Sequence, residues 1–181
     1  MDELTIEWIE AEDAEAIISE AMKRYGQDVL QLAYSYVNNK ALAEDLTQDI
    51  FIKCYKSLHT FTGKSTFKTW LWRIAINHCK DFLKSWYNKN VVISEEESTS
   101  CSSLKEQVEQ EIIQKDEDQR LAEAVMSLPI KYREVIHLFY FEELAIKEIS
   151  AVLEVKENTI KTRLKKAKEL LKERLEEQSN G

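Results

Sequence analysis

Residues that form tight turns are scarce in this chain, and their scarcity limits the folds that it can adopt. Only three glycines and one proline occur among the 181 residues. Sheet-rich folds need many tight turns, and those turns depend heavily on Gly, Pro, Asn and Asp. The hydrophobic fraction of 44% and the charged fraction of 32% are typical of a soluble, mainly helical protein. We therefore expect an all-α fold.

Several classes of protein are excluded by the distribution of apolar and cysteine residues. No apolar run approaches the roughly 18 residues that cross a bilayer, and the acidic N-terminus lacks the basic region of a signal peptide. Cys54, Cys79 and Cys101 are odd in number and have no CxxC spacing, which favours a reduced, cytoplasmic compartment. The adjacent His78 and Cys79 point about 100° apart on a helix and have no second ligand pair nearby. Neither a metal nor any other cofactor is expected.

The net charge of −8 conceals an uneven distribution along the chain. Residues 1–20 carry eight acids and no Lys or Arg, whereas residues 21–90 carry eleven basic and five acidic residues. Residues 91–120 are acidic again, with three basic and nine acidic residues, and residues 121–181 are balanced with eleven of each. Phosphate binding depends on local charge rather than on the total. Nucleic acid therefore remains a possible partner.

The spacing of apolar residues predicts two helical blocks joined by a linker. In the first block we expect helices over residues 14–37, 41–58 and 66–87, the last capped by Ser65. In the second block we expect the helical segments 105–127, 131–140, 145–153 and 158–177. The Ser/Glu-rich tract between the blocks has little to bury and predicts a flexible linker that becomes helical towards its end. We expect an acidic extension over residues 1–11, a helical domain over 12–88, a linker over 89–115 and a second helical domain over 116–177.

The last predicted helix carries the clearest functional signal. Ile160, Leu164, Ala167 and Leu171 form an apolar stripe, and a stripe of lysines follows one residue later at 161, 165, 168 and 172. The preceding short helix gives the spacing of a helix-turn-helix. We therefore predict that the lysines bind DNA phosphates and that side chains in the first two turns contact base edges. A solvated basic face is the alternative.

Aromatic and basic residues alternate in the first block. The set comprises Phe61, Phe67, Trp70, Trp72, Phe82, Trp86 and Tyr87 with Lys64, Lys68, Arg73, Lys80, Lys84 and Lys89. Such a mixture suits a single-strand platform, on which bases stack and the backbone is neutralised. Most of these rings are nonetheless expected in the core, Trp70 among them. Phe61, in a glycine-containing loop, is the better candidate for an exposed ring.

Five segments, taken in order, resemble the bacterial sigma-70 family of RNA polymerase sigma factors. Residues 43–51 (AEDLTQDIF) resemble region 2.2, and residues 67–77 (FKTWLWRIAIN) resemble regions 2.3 to 2.4. Residues 128–136 (LPIKYREVI) and 140–144 (YFEEL) resemble region 4.1, and residues 159–167 (TIKTRLKKA) resemble the recognition helix of region 4.2. The short linker and the absence of region 3 resemble the extracytoplasmic-function group.

The resemblance implies a non-enzymatic protein that binds core RNA polymerase, recognises −35 and −10 promoter elements and promotes melting of the promoter. It also implies that the genes transcribed belong to a stress or envelope regulon. By position, Glu44, Asp45, Gln48 and Asp49 would contact the clamp coiled coil of the β′ subunit. The −10 element would be bound by Phe61, Gly63, Lys64, Ser65, Asn77, Lys80 and Lys84. The −35 element would be bound by Lys161, Thr162, Arg163, Lys165, Lys166 and Lys168.

The resemblance also implies further partners. Residues 128–144 would help to dock the second domain on the β flap, and an anti-sigma factor would hold the protein in check, in some cases at the membrane. No small-molecule substrate is implied.

Three positions depart from the family pattern. Ala145 stands where a Ser or Thr usually caps a helix, at a cost of about 1 kcal/mol. Glu154 and Asn158 stand where Gly is frequent, and Glu tolerates a left-handed backbone poorly. We expect the turn to survive. Two alternatives stay open: a helix-turn-helix regulator that binds duplex DNA without polymerase, and a sigma-like interaction protein that lacks melting activity.

Overall fold

The computed structural model describes residues 4–94 and 117–181, and all regular structure within these ranges is helical. The first domain comprises α1 (Ile6–Ala11), α2 (Ala14–Val37), α3 (Lys40–Ser57), a 3₁₀ turn (Leu58–Thr60) and α4 (Phe67–Ser94). The second comprises α5 (Glu117–Met126), α6 (Ile130–Ile136), a π-helical turn (His137–Phe141), α7 (Ile146–Leu153) and α8 (Glu157–Ser179). The expected all-α fold is confirmed.

Side-chain caps determine where the helices of the first domain begin. Asp13 accepts a 2.8 Å hydrogen bond from the backbone N–H of Ala16 and starts α2. Asn38 ends that helix in a left-handed conformation, and Asn39 starts α3 by accepting from the N–H of Leu42 at 3.0 Å. This pair of asparagines reverses the chain, so that α3 packs against α2.

Helix α4 differs from the prediction at both ends. Its N-terminus is capped by Thr66, whose hydroxyl oxygen accepts from the N–H of Thr69 at 3.1 Å, and not by Ser65. The hydroxyl of Ser65 donates to the carbonyl of Thr66 instead. At the other end the helix continues to Ser94, into the segment that was expected to be linker from residue 89. The rest of that predicted linker, from residue 95, lies outside the described residues.

The helix-turn-helix of the second domain forms despite its unusual residues. Ala145 has no capping side chain, but its N–H donates to the carboxylate of Glu148 at 2.7 Å, which replaces part of the lost cap. Glu154 adopts the left-handed conformation that the turn requires, with φ 57°. Asn158 lies within the first turn of α8. The turn therefore forms, as expected, and its backbone strain is located at Glu154.

The two domains are packed against each other. Helix α4 of the first domain contacts α7 of the second, and α2 contacts α6. The core of the first domain is formed by α2, α3 and α4 around Leu32, Ile50 and Trp72, whereas Leu138, Ile149 and Ile160 centre the second. In the described ranges no helix is long and apolar enough to span a membrane, and no cluster of metal-binding side chains occurs there.

Candidate protein and nucleic-acid interfaces

One face of α3 is acidic and open to solvent. Glu44, Asp45, Gln48 and Asp49 are all exposed, because Ala43, Leu46 and Ile50 turn the opposite side of the helix into the core. The same exposed face continues to Ile52 and Tyr55, whose exposed fractions are 50% and 51%. These two residues were not predicted from the sequence, although both lie outside the buried stripe of the helix. The face thus combines negative charge with exposed apolar surface, a combination that suits a basic protein partner.

Asp49 has a neighbour that the sequence did not indicate. Its carboxylate lies 3.7 Å from Nε2 of His78 on α4. Burial and, to a lesser degree, the nearby Lys53 lower the pKa of His78, so the imidazole is neutral at pH 7. The contact therefore leaves the negative charge of Asp49 uncompensated, and the whole acidic face remains available to a cationic partner.

The loop between α3 and α4 is held by an aromatic cluster. Phe61 is half-buried, and its ring meets those of Phe67 and Trp70 edge-on, with centroids 5.6 Å away in both cases. Phe61 is therefore only partly exposed, and the expectation of a buried Trp70 is wrong, because Trp70 is also half-buried. Gly63 has a left-handed φ of 72° and bends the loop back towards α4. Part of the Phe61 side chain therefore remains at the surface.

The loop borders a cleft of about 530 Å³. Phe61, Gly63, Lys64 and Ser65 all line it, so four of the predicted −10 residues come together in one place. The other walls come from the N-terminal segment 4–6 and from α7 of the second domain. Asn77, which was expected near this loop, lines a separate depression with Lys53, Lys56, Ile74 and His78.

A buried carboxylate joins the two domains. The side chain of Glu134 on α6 is only 3% exposed. It accepts a 2.6 Å hydrogen bond from the hydroxyl of Tyr36, and it lies 3.0 Å from Nζ of Lys80 and 3.7 Å from Arg163. A buried carboxylate needs such partners to offset its lost hydration. One predicted −10 residue, Lys80, and one predicted −35 residue, Arg163, thus share a single acceptor.

Three further contacts hold the domains together. Lys68 of α4 lies 3.6 Å from Glu142, a carboxylate that also meets His137 at 3.2 Å. Two arginines donate to backbone carbonyls across the boundary, Arg133 to Ser35 at 2.6 Å and Arg73 to Ala151 at 3.2 Å. These residues were not predicted from the sequence. The one available signal was that Glu134 and Glu142 lie among apolar neighbours.

The outer face of α8 is basic. Lys161, Thr162, Lys165, Lys166 and Lys168 are exposed, since the buried stripe of Ile160, Leu164 and Ala167 faces the core. Arg163 is half-buried beside Glu134 and is the exception among the predicted −35 residues. A depression of about 570 Å³ at the start of the helix is lined by Lys131, Tyr132, Asn158, Thr159, Thr162, Arg163 and Lys166. Its size and cationic walls suit a phosphate backbone.

An apolar groove lies between α5 and α8. Leu121, Tyr140 and Phe141 are 39%, 49% and 58% exposed, and together with Leu171 and Leu175 they line a groove of about 620 Å³. Exposed large apolar residues grouped in this way mark a surface for a partner protein. Tyr140 and Phe141 fall within the segment 128–144 that was predicted to dock on the polymerase.

Comparison with known proteins identifies the family. Residues 21–87 match the family model for Sigma-70 region 2, and residues 118–171 match that for Sigma-70, region 4. Among similar proteins, SigM of Bacillus subtilis (strain 168), an ECF RNA polymerase sigma factor, is 33% identical over 86% of this chain and 93% of its own length. The chain belongs to the sigma-70 family, in its ECF group.

Other ECF sigma factors are similar over most of the chain. SigW of Bacillus subtilis (strain 168) is 30% identical, covering 83% of this chain and 84% of its own length. The sigma-E factor of Escherichia coli (strain K12) is also 30% identical, covering 94% of this chain and 92% of its own length. As an ECF sigma factor this protein is non-enzymatic, and it directs RNA polymerase to promoters. Both expectations are confirmed, and a helix-turn-helix regulator that binds duplex DNA without polymerase is set aside.

Solved structures support the fold of this sigma factor. RpoE in its complex with the anti-sigma factor NepR from Bartonella quintana aligns with a TM-score of 0.70 at 22% identity, covering 87% of this chain and 96% of RpoE. CnrH in its complex with the cytosolic domain of CnrY aligns with a TM-score of 0.64, also at 22% identity, covering 90% and 89% of the two chains.

Proposed function

We propose that the acidic face of α3 binds the clamp coiled coil of the β′ subunit of core RNA polymerase. Glu44, Asp45, Gln48 and Asp49 would supply the charge, and the exposed Ile52 and Tyr55 would supply apolar contact beside it. Complementary charge accelerates association and determines the orientation of the partner. The apolar residues add to the free energy of binding, because their surface becomes buried in the complex. The neutral state of His78 supports this assignment, because it leaves Asp49 available.

The α3–α4 loop is proposed to bind a base that leaves the −10 duplex. An extruded base loses its stacking, and contact with an aromatic face restores about 1–3 kcal/mol of that loss. Phe61 offers such a face, Gly63 allows close approach of the backbone, and Lys64 lies within reach of a phosphate. Asn77 and Lys84 are exposed on α4, where they would contact the strand beyond the loop.

The outer face of α8 is proposed to bind the −35 element. Its lysines at 161, 165, 166 and 168 would contact phosphates, and Thr162 would face base edges from the start of the helix. Helix α8 is the second helix of the helix-turn-helix, which is the helix that enters the major groove in proteins of this type.

The packing of the two domains has a consequence for this proposal. Lys80 and Arg163 form ion pairs with Glu134, and this pairing competes with binding to a phosphate. We infer that the structure represents the protein away from the promoter, and that the domains separate when polymerase and DNA are bound. The separation would release one DNA-binding residue on each domain.

The groove lined by Tyr140 and Phe141 is proposed to receive the β flap. An anti-sigma factor is proposed as a further partner, because RpoE and CnrH, which share this fold, were solved with NepR and with the cytosolic domain of CnrY. On this proposal the protein is cytoplasmic and is held at the membrane when its anti-sigma factor is a membrane protein. A stress or envelope regulon is proposed for it.

The observation that carries the proposed function is the match to region 2 and region 4, in that order, within one chain. Run-off transcription with core polymerase and this protein on genomic fragments tests it. We expect discrete start sites that core polymerase alone does not produce. An Asp45→Lys variant should lose those start sites. Their absence with the wild-type protein would contradict the proposal.

A further inference from the structure

The acidic N-terminal segment has no role in the function described so far. It precedes the residues that match the family model, which begin at residue 21. Residues 4–11 nevertheless pack against the folded domain and include the helix α1. Leu4 is only 4% exposed, although it lies near the chain terminus, and the half-buried Ile9 packs against the core. The segment is therefore docked and not simply solvated.

The docking site is the loop proposed to bind the −10 base. A Cβ placed on Gly63 would lie 2.7 Å from Cδ1 and 3.3 Å from Cβ of Ile6, so the isoleucine rests directly on the glycine backbone. Residues 4–6 line the same cleft as Phe61, Lys64 and Ser65. A base that stacks on Phe61 and approaches the backbone at Gly63 needs the space that Ile6 occupies.

The charge of the segment opposes DNA as well. Glu7, Glu10 and Glu12 are exposed, and no Lys or Arg occurs in the first 20 residues. Like charges repel within about a Debye length, so the negative charge of the segment opposes the approach of a phosphate backbone. The bulk of Ile6 and the negative charge of the segment thus both oppose the binding of DNA at the α3–α4 loop.

The docked segment is small enough to be displaced. Helix α1 has six residues, and helices of this length are unstable in water on their own. Among the side chains that the structure describes in this segment, the apolar contacts come from Leu4, Ile6 and Ile9. A contact of this size gives an equilibrium between docked and undocked states that a competing ligand can shift.

We propose that residues 4–11 form an intramolecular plug over the α3–α4 loop, which competes with single-stranded DNA of the −10 element for the cleft at Gly63. The proposal rests on the assignment of that loop to the −10 element. In the free sigma factor the plug covers the loop, and the loop becomes accessible when the plug undocks.

Two measurements on the full-length chain test the plug. The variant Ile6→Asn removes the apolar contact at Gly63 without adding charge, and Glu10→Gln is the control, because it alters an exposed side chain of α1 and keeps the contact of Ile6 with Gly63. Hydrogen exchange of the loop amides 59–66 is measured on the free protein. We expect Ile6→Asn to accelerate exchange there, whereas Glu10→Gln should leave it near the wild-type rate.

The second measurement is the affinity of the assembled holoenzyme for a fluorescent single-stranded oligonucleotide that carries the −10 region of a start site found by run-off transcription. Undocking should tighten binding by about 3- to 10-fold, because the fraction of molecules in which the loop is accessible rises. Faster exchange with unchanged or weaker binding would show that the segment merely supports the loop, and would overturn the proposal. Unchanged exchange would overturn it as well, whatever the affinity.

The two measurements separate this proposal from the proposed function. If run-off transcription yields no start site, the assignment of the loop fails, and the role as a plug for DNA fails with it. Hydrogen exchange then still shows whether residues 4–11 dock. If start sites appear and Ile6→Asn changes neither measurement, only the plug is refuted.

Discussion

The hydroxyl of Tyr36 donates a 2.6 Å hydrogen bond to the carboxylate of Glu134, which lies 98 positions away in the chain and in the other domain. Burial, followed by the negative charge of Glu134, raises the pKa of Tyr36 well above its usual value, so the hydroxyl remains a donor at any physiological pH. Because Lys80 and Arg163 approach the same carboxylate, this hydrogen bond belongs to the contact that brings together one residue from each of the two proposed DNA-binding surfaces.

Replacing Tyr36 by Phe should loosen the contact between the domains. The change keeps the ring and removes one hydrogen bond to a charged acceptor, which contributes about 1.5–3 kcal/mol. Small-angle scattering should show the radius of gyration rising at a lower salt concentration than in the wild type. Tyr34→Phe is the matched control, since Tyr34 lies on the same helix and is 41% exposed. Identical scattering for both variants at every salt concentration would contradict the role assigned to this bond.

Reversing the charge of Asp45 should sharply weaken binding to core polymerase. Asp45→Lys exchanges attraction for repulsion against a basic coiled coil. The side chain is exposed, so the free energy of unfolding should change by no more than about 0.5 kcal/mol. Affinity for core polymerase and thermal unfolding are measured together. Glu173→Lys on α8 is the control, and equal affinity of the Asp45 variant and the wild type would refute the clamp assignment.

Removing Lys165 should reduce the salt dependence of binding to duplex promoter DNA. Each lost phosphate contact lowers the slope of log affinity against log salt by about one unit. Lys23→Ala is the matched control, because Lys23 is an exposed lysine on α2, outside the residues predicted to bind DNA. We expect its slope to equal that of the wild type. If the slope for Lys165→Ala also stays unchanged, the lysine stripe is only a solvated face.

Replacing Phe61 by Leu should impair promoter opening more than it affects stability. Leucine retains apolar bulk beside Phe67 and Trp70 and removes the aromatic face, which contributes about 1–3 kcal/mol to binding a stacked base. Permanganate reactivity of the −10 region should fall, while binding to closed duplex promoter stays near wild type. Trp86→Leu, at an exposed ring of α4, controls for loss of any aromatic residue. Normal opening by a stable Phe61→Leu protein would rule out the stacking role.

The thiols of Cys54 and Cys79 should be unreactive in the folded protein. Both are buried, and burial raises the pKa of each to about 12, so almost no nucleophilic thiolate is present at pH 8. Titration with a disulfide reagent is performed on a Cys101→Ser variant, which leaves only these two. Reaction should be slow in buffer and rapid for both in guanidinium chloride. Rapid reaction of one thiol in buffer would show that its helix opens locally.

Much of this architecture follows from local patterns. The prediction for helix α2, residues 14–37, agrees with the structure at both ends, because Asp13 and Asn38 carry strong start and stop signals. The basic stripe of α8 and the acidic face of α3 are exposed as their spacing predicts. The cap at Ser65 was wrong by one residue, since Ser and Thr are both good caps and only the geometry at Thr66 distinguishes them.

The sequence by itself determined which side of each helix is apolar and which is charged, because the helical repeat relates residues only three or four positions apart. The tertiary structure alone decided that Lys80 and Arg163 meet at Glu134 and that Ile6 rests on Gly63. Such contacts join residues separated by tens of positions, and they depend on how whole helices and domains pack. No periodicity along the chain encodes those distances, so only the packed structure shows that one predicted DNA-binding residue of each domain pairs with the same carboxylate.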